Sequence, residues 1–309
     1  MIDLSTKIAD ISLESYIFNA SGPKCTTIDE LLTLGESYSG AIMTKSCTLE
    51  QRMGNPEPRY KAIPYGSIQS MGLPNLGYQA YVDMVPILKQ QNKPLIVSVS
   101  GLSLADNITM VDAFMMTNAD LIEVNFSCPN IVGKPQMGYD FEQTEQALKA
   151  LTQLGDTPIG LKLPPYFDGS HFDSMANIIA QYPVSFITCI NSLGNTLVID
   201  AETESPIIKP KNGLGGLCGS FIKPVGLANV FNFKQRLPEH IQVIGVGGIS
   251  SGLDAFEYAL AGADAVQVAT CFQEEGVECF KRIATELSDL LSKKDYSSIT
   301  DAIGKLTPL

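Results

Sequence analysis

LIEVNFSCPNIVGKPQ, residues 121–136, is the stretch from which both the fold and the chemistry can be read. Its first six residues are apolar at nearly every position and rich in β-formers, the pattern of a strand buried on both faces. Ser127 and Cys128 end that strand. Pro129 stops it, because proline has a fixed φ and no N–H for a ladder. Gly133 and Pro135 are turn formers in the loop that follows. A thiol is therefore held where a strand breaks into a loop, between the amides of Asn125 and Asn130. Such a thiol can move a proton, and amides around it can hold a polar, planar ligand. The competing reading is a structural thiol, since cysteine is among the most buried residue types. Its place at a strand end between two asparagines favours chemistry.

Seven more runs of the same kind lie outward from this one. They are YIFNAS (16–21), AIMTKS (41–46), LIVSVS (95–100), IGLKLP (159–164), FITCINS (186–192), VIGVGGI (243–249) and AVQVATC (265–271). Helical patterns separate them, among them YQAYVDMVPILKQQ, FEQTEQALKALTQL and, last, VECFKRIATELSDLLS. Strands apolar on both faces belong in a parallel sheet covered by helices. Eight β–α units in 309 residues point to an α/β fold, a (β/α)8 TIM barrel, as one domain over residues 1–309. The opening KIADISLES alternates apolar and polar residues and predicts a short N-terminal hairpin over one end. A doubly wound open sheet is the runner-up, but it calls for G-x-G-x-x-G after the first strand, which is absent. Two connections are long: residues 47–76 after strand two and 193–222 after strand six. In a barrel both insertions fall on the C-terminal face, where active sites are built.

Bulk composition narrows the class. With 45% hydrophobic and 17% charged residues, the chain can bury a large core and is not disordered. A net charge of −12 argues against nucleic acid or an anionic membrane as partner. The seven cysteines form no C-x-x-C pair, which reads as thiols in a reducing cytosol rather than a disulfide framework or a metal site. His171 and His240 stand in no motif. With no signal peptide and no apolar run of membrane-spanning length, the reading is a soluble, cytoplasmic protein.

A barrel predicts that chemistry gathers where strands end. Ala20, Ser21 and Gly22 end strand one with Asn19, and Lys45 and Ser46 end strand two. Asn125 and Cys128 close strand four. Lys162 is late in strand five, Asn191 and Ser192 end strand six, Gly247 and Gly248 end strand seven, and Ala269 and Thr270 lie late in strand eight. Each alone reads as turn chemistry. Two lysines, three asparagines and a thiol on one rim need a shared ligand rich in carbonyls and N–H groups. GVGGISSG (245–252) frees backbone N–H groups at a helix start, at the habitual barrel phosphate site. GLGGLCGS (213–220) offers more. Neither run matches the dinucleotide fingerprint, so a mononucleotide phosphate is favoured over NAD. Tight packing is the plainer explanation for either run alone.

MTKS, SMGLPN, NFSCPN with GKPQ, CINS, IIKPKNGLGGLCG and IGVGGI, in this order and spacing, together resemble the class 1A dihydroorotate dehydrogenases. That resemblance covers residues 8–306. It implies an FMN enzyme, soluble and homodimeric, that oxidises (S)-dihydroorotate to orotate in pyrimidine (UMP) biosynthesis and passes the electrons to fumarate. Carried over by position, it implies Cys128 as the catalytic base. Lys45, Asn125, Asn130, Asn191 and Ser192 would bind substrate with Gln69 and the backbone of Met71, Gly72 and Leu73. Ala20, Ser21, Gly22, Lys45, Ser46, Asn125, Lys162 and Ile190 would line the flavin. Gly219, Ser220, Gly247, Gly248, Ala269 and Thr270 would hold its ribityl chain and phosphate. Three departures stand out. Gln69 replaces the family's Asn and lengthens that arm by a methylene, Cys218 stands where Gly or Ser is usual, and Ala269 where Gly is usual.

The resemblance further implies that Cys128 takes a proton from C5 while a hydride leaves C6, and that Lys162 lies by the N1–C2 edge of the flavin. A thiol ordinarily titrates near pH 8.5, so activity is expected to rise with pH. The loop 129–139 is expected to act as a lid. Three alternatives stay open at this point. One is a class 1B-type enzyme passing electrons to a partner subunit and NAD. Another is a paralogue acting on a different dihydropyrimidine or an enoate. The last is a barrel that binds a phosphorylated ligand without turnover.

Overall fold

The computed structural model describes residues 2–130, 133, 135–307 and 309. Eight parallel strands form the expected barrel: Ile17–Asn19, Ile42–Met43, Leu95–Val99, Leu121–Asn125, Ile159–Leu163, Phe186–Cys189, Gln242–Val246 and Ala265–Val268. Numbered one to eight in that order, strands two to eight pair in sequence, and strand eight returns to pair with strand one. Between strands one and two the ring is completed largely by a side chain. The Asn19 amide donates to Met43 O at 2.8 Å and accepts from Met43 N at 2.9 Å, replacing the ladder bonds of a buried backbone that needs partners.

Several strands stop short of their apolar runs. Strand one ends at Asn19, strand two at Met43 and strand eight at Val268, so Ala20, Lys45 and Ala269 sit on the rim. The ladder loosens there because rim backbone groups find other partners, as Lys45 N does in Cys25 O at 2.8 Å.

Inside the ring, side chains stack in layers set by the two-residue period of a strand. Phe18, Met43, Ile96, Leu121, Phe186, Ile244 and Ala265 form an apolar base. The hairpin of Thr6–Ile8 and Ile11–Leu13 plugs it from below with Ile8 and Leu13. Gly160 leaves room for that base, since a Cβ there would stand 2.2 Å from the Phe186 ring. One step up the strands the layer turns polar: Ser98, Glu123, Lys162, Thr188 and Gln267 are all buried. That layer is the floor of the site.

The helices cover the outside. The helix Ile28–Glu36 starts at a capping box, with Glu30 N bonded to Thr27 Oγ1 and Thr27 N to Glu30 Oε2; each side chain satisfies a backbone donor the helix leaves open. The last helix, Glu278–Lys293, buries Cys279, Phe280, Ile283, Leu287 and Leu291, one stripe at helical spacing. A short helix, Thr270–Glu275, lies between strand eight and this one and was not read from the sequence.

The two long insertions meet above the barrel mouth. Tyr60–Ile63 and Gly66–Gln69 form a hairpin from the first; Leu193–Thr196 and Gly215–Gly219 come from the second. Gly66–Gln69 pairs antiparallel with Gly215–Gly219, joining all four strands in one sheet. The sheet is a roof. Its tightest point needs glycine, because a Cβ on Gly66 would lie 2.1 Å from Cys218 O, and Gly219 opposite has φ +91°. The run 213–220 thus serves close strand packing first. Among the described residues no helix is long and apolar enough to cross a membrane.

Candidate active site

A cavity of about 610 Å³ lies between the barrel rim and the roof. Every residue that the resemblance assigns to catalysis, substrate or flavin lines it; Asn19 and Ser127, also named at strand ends, do not. Strands one and two contribute Ala20, Ser21, Gly22, Lys45 and Ser46. Strand four and its loop contribute Asn125, Cys128 and Asn130; strands five and six contribute Lys162, Ile190, Asn191 and Ser192. The roof supplies Gln69, Met71, Gly72, Leu73, Gly219 and Ser220, and the far end is made by Gly247, Gly248, Ala269 and Thr270.

Cys128 differs from the other barrel thiols. Cys25, Cys47 and Cys189 are fully buried. Burial pushes all three thiols up, Cys25 to about 12, so they stay protonated and serve as core. Cys128 is half-buried and faces the cavity. The loop that carries it is held from above: Asn55 Nδ2 donates to Asn130 O at 3.1 Å and Lys211 Nζ to Pro129 O at 2.8 Å. Of the expected lid over 129–139, Ile131, Val132 and Lys134 lie outside the described residues.

The amides form a connected set. Asn125 Oδ1 accepts from Ser127 N at 3.0 Å and Ser127 Oγ at 2.8 Å, which fixes the strand end. Asn191 Nδ2 donates to the same hydroxyl at 2.9 Å, and its Oδ1 accepts from Ser192 N at 2.8 Å. Asn130 Nδ2 donates to Gln69 Oε1 at 3.0 Å, while Asn130 Oδ1 is buried with no partner among the described residues. A buried acceptor without a donor costs free energy until a ligand supplies one. Lys45 Nζ donates to Gly22 O at 2.8 Å, its one hydrogen bond among the described residues. An ammonium has three donors, which leaves two for an anion. Burial lowers its pKa, partly offset by the thiols of Cys25 and Cys128.

The far end is made of backbone. Gly247 (φ +126°) and Gly248 (φ +71°) turn the chain after strand seven into the helix Gly252–Leu260. A Cβ on Gly248 would meet Lys223 Cβ at 2.7 Å and Gly219 O at 2.9 Å, so the turn is pressed against the roof strand. Ser250, Glu274 and Glu275 edge the same end, and Glu275 is paired with Arg282 at 2.8 Å. Among the described residues no group of three or more His, Cys, Asp or Glu is placed to hold a metal ion.

Some site residues were not foreseen. Tyr60, Ile63, Tyr65 and Ser67 line the cavity from the roof hairpin, and Gln267 lines its floor above Glu123. The signal for the last two was present in the strand period. Glu123 is two residues before Asn125 and Gln267 two before Ala269, on the same inward face.

The family model for dihydroorotate dehydrogenase matches residues 3–291. The chain is 48% identical to "Dihydroorotate dehydrogenase A (fumarate)" of Lactococcus lactis subsp. lactis (strain IL1403), over 99% of this chain and 100% of that one. It is 49% identical to "Dihydroorotate dehydrogenase (fumarate)" of Kluyveromyces lactis, over 95% and 94%. A crystal structure of DHODH from Eimeria tenella in complex with ferulenol matches with a TM-score of 0.83, 18% identity, and 98% of this chain and 88% of that one covered; at that identity the likeness speaks for the fold. The chain belongs to the dihydroorotate dehydrogenase family.

Membership brings FMN as the cofactor, and the residues present fit it. Asn130 Oδ1, buried with no partner among the described residues, and the donors of Lys45 that no described residue engages suit a polar planar stack. The glycine turn at 247–248 lets backbone N–H groups approach a phosphate that a Cβ would hold off.

Proposed function

We propose that this protein oxidises (S)-dihydroorotate to orotate and passes the electrons to fumarate in one shared cavity. The observation that carries the reading is the convergence of Cys128, Lys45 and the amides of Asn125, Asn130, Asn191 and Ser192 on that cavity. The relatives named above for the fumarate reaction support the acceptor; neither speaks for a partner subunit with NAD, for another substrate or for a barrel without turnover.

When bound, FMN would supply the acceptor for the hydride lost by C6 of dihydroorotate and the donor of a hydride to fumarate. The protein's part is positional and protonic. Cys128 removes the C5 proton as the hydride leaves, so the substrate loses one proton and one hydride and a double bond forms. In the second half the same thiol returns a proton, and fumarate, gaining both, becomes succinate. Lys45 holds a carboxylate through the donors Gly22 leaves open. Asn130 Oδ1 accepts a ring N–H, while Asn191 and Ser192, already braced by Ser127 and Gln69, fix the other ring edge. Lys162, Ala20, Ser21, Gly22, Ser46 and Ile190, which line the cavity, would face the flavin. Gly219, Ser220, Gly247, Gly248, Ala269 and Thr270 would hold its chain and phosphate. The chain acts as one barrel domain, in the cytoplasm, as a homodimer; the exposed Leu197 and Ile199 of the second insertion suit a face between copies.

Cys128→Ala tests the base. It is expected to retain FMN at wild-type stoichiometry and to lose about 10²–10⁴-fold in turnover, the range of one general acid–base group. Wild-type turnover at neutral pH would remove Cys128 from the reaction.

A further inference from the structure

Glu123 is a carboxylate with no exposure, in the middle of a barrel strand whose every residue is buried. Burying a charge is costly unless it is paired and hydrogen-bonded, and here four different strands or strand ends supply the partners. Ser21 Oγ donates to Oε1 at 3.2 Å. Thr188 Oγ1 and Gln267 Nε2 donate to Oε2 at 2.8 and 2.9 Å. Lys162 Nζ stands 3.9 Å from Oε1, with side-chain exposures of 6% and 0% for the pair. Gln267 links the two charges, since its Oε1 accepts from Lys162 Nζ at 3.0 Å while its Nε2 faces Glu123. Ser21, Lys162 and Gln267 line the cavity; Glu123 lies beneath them and does not.

We propose that Glu123 is a positioning residue for the flavin reaction. It aims the Gln267 carbonyl at Lys162, holds the ammonium at the cavity floor, and offsets its charge there. This rests on the reading that FMN lies over Lys162. A cation under the flavin favours the reduced cofactor, which is the more electron-rich form. A carboxylate 3.9 Å from that cation weakens the preference, in a setting where charges are poorly screened. Glu123 thereby keeps the bound flavin from holding its electrons too tightly, as an enzyme must that takes them from one acid and gives them to another.

The test is the midpoint potential of FMN in the intact holoenzyme, by anaerobic equilibration with reference dyes, in Glu123→Gln, Lys162→Met and the double variant. Glu123→Gln is expected to favour reduced FMN about tenfold more than wild type, about 30 mV upward for a two-electron couple. Lys162→Met is expected to shift the potential down. In the Lys162→Met background the Glu123 effect should shrink below threefold, because the carboxylate acts through the lysine. Glu123→Asp, which keeps the charge, should stay within threefold of wild type. Should Glu123→Gln yield no holoenzyme, Gln267→Met decides: it breaks the link without adding charge and should shift the potential upward by about threefold. A potential that moves with Lys162→Met but not with Glu123→Gln or Gln267→Met overturns the role of Glu123 alone. A potential that moves with none of them also overturns the placement of FMN over Lys162.

Discussion

Gln69 looks from the sequence like a site residue with one methylene too many. In the structure its amide is engaged by the protein: Oε1 accepts from Asn130 Nδ2 at 3.0 Å and from Met71 N at 3.1 Å, and Nε2 donates to Ser192 Oγ at 3.3 Å. Gln69 therefore ties the loop after strand four to the roof and orients two groups that line the cavity. Gln69→Ala is expected to raise KM for dihydroorotate about tenfold, the loss of about 1–1.5 kcal/mol per net hydrogen bond, with FMN content unchanged. An unchanged KM would show that the ties do not matter. Residues of this kind divide by how they could be read. Cys128, Lys45 and the asparagines were legible because each interrupts an apolar run at its end. Glu123 was hidden because one acid in LIEVNF is passed over when a strand is judged by its apolar neighbours, and only the period-two placement exposes it.

At the scale of elements, the helix Gly252–Leu260 and the glycine turn before it are fixed by Asp254. Its Oδ2 accepts from Ser250 N at 2.9 Å and Ser251 Oγ at 2.9 Å, and its Oδ1 from Lys223 Nζ at 2.6 Å. Burial by itself would raise this carboxyl, but the bonds from Lys223, Ser250 and Ser251 hold it below the ordinary 3.8. A carboxyl that titrates lower folded than unfolded stabilises the fold above the unfolded value and ceases to do so as pH falls through the folded one. Asp254→Ala is accordingly expected to cost roughly 2 kcal/mol at pH 7. In urea titrations the gap to wild type should stay flat down to about pH 5 and narrow below 3.8; a gap that does not depend on pH would refute the ionic account. The roof makes a second prediction. Gly66→Ala forces a Cβ toward Cys218 O at 2.1 Å, an overpacking of about 1–3 kcal/mol, and is expected to weaken FMN retention at least tenfold, read by ultrafiltration. Wild-type retention would show that the roof strand has room. The barrel strands were legible because each is a local apolar run. The roof was not, since Gly66–Gln69 and Gly215–Gly219 find one another across a long separation, and the second is glycine-rich, which hides strand propensity. The sequence placed both insertions over the mouth without revealing that they pair.

The whole molecule is a barrel with its base plugged by a hairpin, a polar layer above the plug, a cavity above that, and a sheet closing the top. If one cavity serves both substrates, as proposed, the first product leaves before the second substrate enters. The most direct test separates the two halves. Under anaerobic conditions the purified protein is mixed with dihydroorotate, the flavin absorbance is followed, and fumarate is then added. Bleaching is expected on the first addition and full recovery on the second, with orotate and succinate formed in equal amounts. A yellow protein that dihydroorotate does not bleach, or that bleaches and is not restored by fumarate, would contradict it.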